Sequence, residues 1–408
     1  MTPKDSQSVV IIGGSHAAAE AIPVLRQKGW EGRIVLIGDE PCLPYQRPPL
    51  SKAYYQGVMD EEKILIRAAA TYEQANIEMM LGRRAMRIDR DTRSILLDDG
   101  TAVNYSKLIL ATGTRPRKLS SEGADLPNIN YLKTLQDVDR IKSQLTADSR
   151  LLIVGAGYIG LEVAASAVKQ GVQVTVLEAE DRVLTRVTSP VVSHFYERIH
   201  KAAGVDIRLG ARLENFRQSE NGTFAELADG DQLLFDCAVV GIGVLPNTEL
   251  AQDAEISCDN GILVDEFTKT SDPNIYAVGD CSNHPSYIYD RRLRLESVPN
   301  AVQQAKTAAM SICGEDVAYD QVPWFWSDQY DVKLQTVGLL QGYDQTVVRG
   351  DPDSLKFAAF YLRSGRLIAM DAINSPVEFM TSKKLIAGKS MPDPMRLADG
   401  SVSMKEIL

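Results

Sequence analysis

Gly155, Gly157 and Gly160 stand in the spacing Gly-x-Gly-x-x-Gly within LLIVGAGYIGLEVA, residues 151–164. This spacing suits a buried strand that turns sharply into a helix and meets a nucleotide there. The first glycine permits the tight turn, the second lets backbone approach a pyrophosphate, and the third lets helix and strand pack closely. The strand predicted next, Val172–Leu177, ends at Glu178, 23 positions after Gly155. A carboxylate there accepts hydrogen bonds from the 2′- and 3′-hydroxyls of NAD. It repels the 2′-phosphate of NADP, a like-charge contact that costs several kcal/mol. Arg182 and Arg186 follow and offer the opposite reading, as ligands of that phosphate. Glu178 at the strand end outweighs them and favours NADH.

A second stretch, VVIIGGSHAAAEA at residues 9–21, keeps the same outline with parts changed. Gly13 retains the tight turn. Ser15 stands where backbone would meet phosphate, and Ala18 still permits helix–strand packing. Val9–Ile12 is predicted as a strand, Ala17–Lys28 as a helix closed by Gly29, and Arg33–Ile37 as a strand. Asp39, 26 positions after Gly13, is placed to accept hydrogen bonds from an adenosine ribose. Pro23 lies inside the helix, where it removes a backbone hydrogen bond and costs about 3 kcal/mol unless the helix kinks, so a kink is expected.

Three other segments read as strands ending in small-residue turns: LILATGTRPR at 108–117, VVGIGVLPN at 239–247 and TSDPNIYAVGDC at 270–281. Their order around the intact fingerprint suggests one nucleotide-binding unit inserted into another. The domains expected are therefore 1–113 with 243–321, an inserted 114–242, and a C-terminal 322–408. In the last, KLQTVGL, QTVVRG, KFAAFYLR and RLIAMDAIN read as successive strands, followed by a helix near Glu378–Ile386. By residue type alone, Trp324 and Trp326 in PWFWSDQY read as core.

Composition narrows the function classes. A chain of 408 residues suggests two or three domains, and a net charge of -10 argues against nucleic acid as the main partner. The longest apolar run, Leu151–Val168, is broken by Glu162 and carries the fingerprint glycines, so it reads as strand, turn and helix and not as a membrane span. MTPKDSQS at the start has no apolar signal region. The five cysteines lie at least 21 residues apart, which suits a reducing, cytoplasmic compartment, and the four histidines are scattered, so no metal site is expected.

Six stretches carry a family likeness: LPYQRPPLSKAYY (43–55), GAGYIGLEVAASA (155–167), AVGDC (277–281), ESVPNA (296–301), PWFWSDQY (323–330) and SPVEF (375–379). On these the chain resembles, over essentially its whole length, the FAD-containing NADH-dependent ferredoxin reductases that feed oxygenases. They belong to the two-dinucleotide-domain flavoprotein superfamily that includes glutathione reductase. It implies an α/β fold with two Rossmann-like nucleotide-binding domains and an α+β C-terminal domain. The altered fingerprint then holds FAD and the intact one NADH.

Carried over by resemblance, the FAD residues are Gly13, Ser15, His16, Ala17, Asp39, Arg47, Lys52 and Ala85. Ala111, Thr112, Gly113, Lys133, Gly279, Asp280, Val298 and Trp326 complete them. The NADH residues are Gly155, Gly157, Tyr158, Ile159, Gly160, Glu178, Arg186 and Gly243. Lys52 and Glu162 are implied as an ion pair near flavin N5, and Trp326 as lying between flavin and partner. Ser15 in place of glycine, and Lys133 in place of arginine, are departures from the family pattern.

The glutathione reductase branch passes electrons through a CxxxxC disulfide. The corresponding stretch here, Pro44–Lys52, has no cysteine pair, and Cys42 is alone. NADH delivers two electrons as hydride, and flavin can release them singly, so a [2Fe–2S] ferredoxin supplying a cytochrome P450 or Rieske oxygenase fits as acceptor. Arg291, Arg292, Arg294, Lys306 and Lys333 are candidate basic docking residues, and a monomer is expected. Two rivals are weighed. One is a change of acceptor to rubredoxin, oxygen or a quinone. The other is an apoptosis-inducing-factor-like NADH-sensing binding protein, which would want a targeting segment and a basic DNA-binding face.

Overall fold

The computed structural model describes residues 7–407. Residues 1–6 and 408, and with them most of the MTPKDSQS segment, lie outside the described residues. The chain gathers into two compact units. Unit 1 holds residues up to 46, 61–115 and 245–323; unit 2 holds 47–60, 116–244 and 324 onward.

Unit 1 is built on five parallel strands in the order Ile275–Ala277, Lys107–Leu110, Ser8–Ile12, Arg33–Gly38 and Ile77–Leu81. The central strands are continuous apolar runs because both faces of the sheet are covered. Val10, Ile12, Val35 and Ile37 share one core with Ile88, Ile95 and Val103 of a small antiparallel sheet. On the other face, Val9, Ile11, Ile34 and Leu36 share a core with residues of the helices His16–Gln27 and Val298–Ile312.

The His16–Gln27 helix runs on through Pro23. Proline has no N–H to offer the carbonyl of Ala19, four residues earlier. That carbonyl instead accepts a hydrogen bond from Arg67 Nε at 2.8 Å, while Arg67 Nη2 pairs with Glu20 at 3.0 Å. The lost backbone bond is thus replaced by a side chain.

Unit 2 holds a second parallel sheet, in the order Asp206–Arg208, Gln173–Leu177, Arg150–Val154, Cys237–Val240 and Ile129–Tyr131. The Leu151–Val168 run divides as its residues suggested, into the strand Arg150–Val154 and the helix Tyr158–Val168. Unit 2 also holds a five-stranded antiparallel sheet, in the order Trp324–Gln329, Val332–Gly338, Arg366–Ile373, Lys356–Arg363 and Gln345–Asp351. Four of these strands were expected. The fifth, Trp324–Gln329, is the aromatic stretch, which forms an edge strand with Trp324, Phe325 and Trp326 half-buried. The helix Pro376–Ala387 packs on this sheet.

Pro48–Ser51 forms a short 3-10 turn that packs on the Tyr158–Val168 helix. It is tied there by Ser166 Oγ, which donates to the Ser51 carbonyl at 2.7 Å, and by Gln56, which donates to Ser166 Oγ at 2.9 Å. Among the described residues no helix is long and apolar enough to cross a membrane.

Candidate nucleotide-binding and redox sites

The intact fingerprint in unit 2 has the geometry its glycines predict. Gly155 has φ +103°, and a Cβ there would fall 2.5 Å from the Gly241 carbonyl oxygen. Gly157 caps the Tyr158–Val168 helix, and a Cβ there would find no atom nearer than 4.0 Å, so its backbone faces open space. Gly160 lies against the turn, its Cβ position 2.3 Å from the Gly155 carbonyl. Glu178 is held from both sides: Oε2 accepts the Ala156 amide at 2.8 Å and Oε1 the Glu180 amide at 3.0 Å.

The flanking candidates separate. Tyr158 stacks on Phe325 with centroids 4.7 Å apart, and Ile159 is exposed. Arg186 comes within 3.8 Å of the Cβ position of Gly243. Arg182 is occupied, donating to the Thr188 and Thr185 carbonyls at 2.9 Å and to Ser193 Oγ at 2.6 Å. Its guanidinium holds the loop together.

The altered fingerprint in unit 1 repeats this geometry. Gly13 has φ +113°, and its N–H reaches the Ile37 carbonyl at 2.8 Å as that of Gly155 reaches Leu177. Its Cβ position lies 2.1 Å from the Ala111 carbonyl oxygen, so Ala111 plays the part of Gly241. Ser15 caps the His16–Gln27 helix where Gly157 caps its counterpart, with its hydroxyl 3.4 Å from His16 Nδ1. One difference matters. The strand position equivalent to Glu178 is Gly38, whose Cβ position is 3.6 Å from Gly14. The acidic residues come later: Asp39, exposed and 3.4 Å from Arg84, and Glu40, which accepts the Tyr45 hydroxyl at 2.5 Å.

The other unit 1 candidates group around two turns. In the first, Thr112 Oγ1 donates to the Asn247 carbonyl at 2.7 Å, and Asn247 Nδ2 returns a bond to the Thr112 carbonyl at 2.8 Å. The Asn247 amide also reaches the Gly113 carbonyl at 3.0 Å. In the second turn, Gln304 Oε1 accepts the Gly279 amide at 2.7 Å, and the Asp280 carboxylate accepts from Thr114 at 3.5 Å. Gly279 lies beside Ala17, whose side chain is 4.0 Å from its Cβ position. Val298 opens the helix capped by Ser297. Ala85 is buried in the apolar core, so only its backbone is available to a ligand. Asn247 and Gln304 were not singled out as candidates. Asn247 closes the VVGIGVLPN turn, a local signal in the sequence; Gln304 lies mid-helix with no local mark.

Lys52 and Glu162 do form an ion pair, at 2.6 Å, with Glu162 only 5% exposed. Ser51 Oγ donates to Glu162 Oε2 at 2.5 Å and Ser327 Oγ to Oε1 at 2.6 Å. Arg47 donates to the Lys133 carbonyl at 3.1 Å, which brings two further candidates together. Trp326 lies 5.7 Å from Trp324 in the same strand. Of the basic candidates, Arg294 pairs with Glu296 at 2.7 Å, Lys306 with Glu20 at 3.4 Å, and Arg292 donates to the Asn283 carbonyl at 2.6 Å.

A family model for pyridine nucleotide-disulphide oxidoreductase matches residues 7–305. The chain belongs to this family. A second model, reductase C-terminal, matches residues 324–408. Putidaredoxin reductase of Pseudomonas putida is 45% identical, with 99% of this chain and 97% of that protein covered. Rhodocoxin reductase of Rhodococcus erythropolis is 43% identical over 98% of this chain and 93% of its own length. The crystal structure of a covalent putidaredoxin reductase–putidaredoxin complex aligns with TM-score 0.95 at 45% identity, over 99% of this chain and 98% of that one.

The protein is thus an oxidoreductase of the FAD- and NAD(H)-using kind, with the two-nucleotide α/β fold and the C-terminal α+β domain expected from its motifs. The two turns fit two dinucleotides. At Gly157 a Cβ would find no atom nearer than 4.0 Å, and Ser15 holds the same N-cap place in the other turn, the position where a pyrophosphate meets backbone N–H groups. Despite the family's name, no two of the five cysteines are joined in a disulfide among the described residues.

Proposed function

We propose that this chain is an FAD-dependent NADH:ferredoxin reductase that serves an oxygenase system. The observation that carries this reading is a pair of matched nucleotide turns in a chain without a redox disulfide, 45% identical over nearly its whole length to putidaredoxin reductase. Three domains, 1–113 with 243–321, 114–242 and 322–408, would divide the work. FAD, when bound, accepts hydride from NADH and passes electrons on singly.

The residues contribute binding, orientation and charge. Gly13, Ser15 and the Ala111–Gly113 turn would hold FAD, with Asp280 on its ribityl chain. Gly155, Gly157 and Glu178 would hold NADH, Glu178 admitting a free 2′-hydroxyl and opposing a phosphate. Lys52 and Glu162 stand along the helix that the NADH turn opens, and we assign them the placement of nicotinamide and the tuning of hydride transfer. Trp326 would shape the electron path to the partner. A [2Fe–2S] ferredoxin, a monomeric state and the cytoplasm complete the proposal.

A steady-state assay tests it: NADH consumption with a [2Fe–2S] ferredoxin, with rubredoxin and with glutathione disulfide. Fast turnover is expected with ferredoxin alone. Turnover with the disulfide, or with none of the three, would overturn the reading; preference for rubredoxin would change the acceptor and keep the class.

A further inference from the structure

The Glu162 carboxylate ends a buried chain of hydrogen bonds whose direction follows from its charge. Ser327 has one hydroxyl hydrogen, and it goes to Glu162 Oε1 at 2.6 Å. Ser327 Oγ is then left to accept, and takes Gln329 Nε2 at 3.1 Å. This turns Gln329 Oε1 toward His200, whose Nε2 lies 2.8 Å away and must carry the ring hydrogen. His200 Nδ1 is left as an acceptor for the Tyr330 hydroxyl at 3.0 Å. Every donor along Tyr330, His200, Gln329 and Ser327 therefore points at Glu162.

Three of these residues are fully enclosed: Ser327 and His200 are 0% exposed and Gln329 1%. Burial lowers the His200 pKa to about 4, which keeps the ring neutral and the chain's direction intact near neutral pH. Tyr330, at the turn joining the first two strands of the antiparallel sheet, has φ +56° and meets His200 edge-on at 5.0 Å. Tyr158 and Tyr196 feel the Glu162 charge, and burial raises both phenols, so neither adds charge.

A buried network of this kind is a weak source of net stability, because well-packed apolar side chains serve as well. Nor does it suit proton conduction, since an amide in the middle passes a proton only by leaving its amide form. What it does is occupy Oε1, so that Oε2 is left for Lys52 and Ser51.

We infer that Ser327, Gln329 and His200 are positioning residues, which aim the Glu162 carboxylate and through it the Lys52 ammonium. The inference rests on the proposal that the Lys52–Glu162 pair serves hydride transfer.

The test uses the FAD-loaded protein and the variants Ser327→Ala, Ser327→Thr, His200→Phe, Lys52→Gln and Glu162→Gln. The limiting rate of flavin reduction by NADH, the half-saturating NADH concentration, the flavin midpoint potential and the FAD content are measured. Ser327→Ala is expected to lower the limiting rate about tenfold, the effect of one lost hydrogen bond to a charged group, with half-saturation unchanged. The potential is expected to move negative, and Ser327→Thr to restore both. His200→Phe, further along the chain, is expected to lower the rate about threefold. It also carries the test if Ser327→Ala loses FAD. The inference is overturned if Ser327→Ala and His200→Phe leave rate and potential unchanged while Lys52→Gln and Glu162→Gln slow reduction. If those two also leave the rate unchanged, the assignment of the ion pair fails, and the inference with it.

Discussion

Glu178 accepts the Ala156 amide at 2.8 Å, so the acidic residue at the end of one strand is bound to the turn at the end of the next. Two backbone amides of the protein itself fix how the carboxylate is aimed. In the proposed NADH site, removing it would remove the repulsion of a 2′-phosphate and leave the Ala156 N–H without this partner. Glu178→Ala is expected to narrow the preference for NADH over NADPH in kcat/KM by about a hundredfold. Kinetics with both nucleotides check this; an unchanged ratio would move specificity to another residue.

Lys52 and Glu162 lie 2.6 Å apart with side chains 18% and 5% exposed. Removing one partner strands the other, so Glu162→Ala is expected to cost about 3 kcal/mol. The double variant Lys52→Met with Glu162→Leu is expected to cost less than the two single losses added. Urea unfolding of all the variants measures the coupling.

His200 in unit 2 and His284 in unit 1 are both held neutral by burial, with pKa lowered from 6.5 to about 4. For His284 the nearby Arg292 adds to the effect. A depressed folded pKa means stability is fully present above pH 6.5 and lost as pH falls toward 4, because the unfolded chain takes up protons that the folded one refuses. The loss is about 1.4 kcal/mol per pH unit for each histidine within that window. Stability measured from pH 7.5 down to pH 4 is expected to flatten by one proton in His284→Gln; an unchanged slope would contradict the assignment.

Arg67 and Pro23 are coupled through the Ala19 carbonyl, which Arg67 reaches at 2.8 Å. Arg67→Leu is expected to destabilise by about 1–2 kcal/mol, since it strips a charged donor from a helical carbonyl. In a Pro23→Ala background the restored N–H takes over that carbonyl, and the same substitution is expected to cost much less. A double-mutant cycle by thermal unfolding reads the difference.

The parts of this protein that could be read from sequence are those set by local pattern. The two turns were legible because Gly13 and Gly155 mark a conformation that few other residues tolerate, and the flanking strands because they are unbroken apolar runs. The Lys52–Glu162 pair was legible only through a family likeness, since 110 positions separate its members. What stayed hidden depends on packing between distant segments. His200, Gln329 and Ser327 carry no local mark in sequence, and only the packing of a helix against a distant strand joins His200 to Gln329, 129 residues away. Arg67 is hidden likewise: Pro23 marks in the sequence that a backbone bond is missing, but not that a distant side chain meets the carbonyl it leaves. The Trp324–Gln329 strand was masked because its aromatic residues resemble core, while the fold sets them at a sheet edge.

The most direct test of the proposed activity is anaerobic stopped-flow absorbance of the FAD-loaded protein, mixed first with NADH or NADPH and then with an oxidised [2Fe–2S] ferredoxin. Flavin bleaching much faster with NADH than with NADPH, followed by rapid ferredoxin reduction as the flavin colour returns, is the predicted result. Bleaching by NADH with the ferredoxin left oxidised would contradict it.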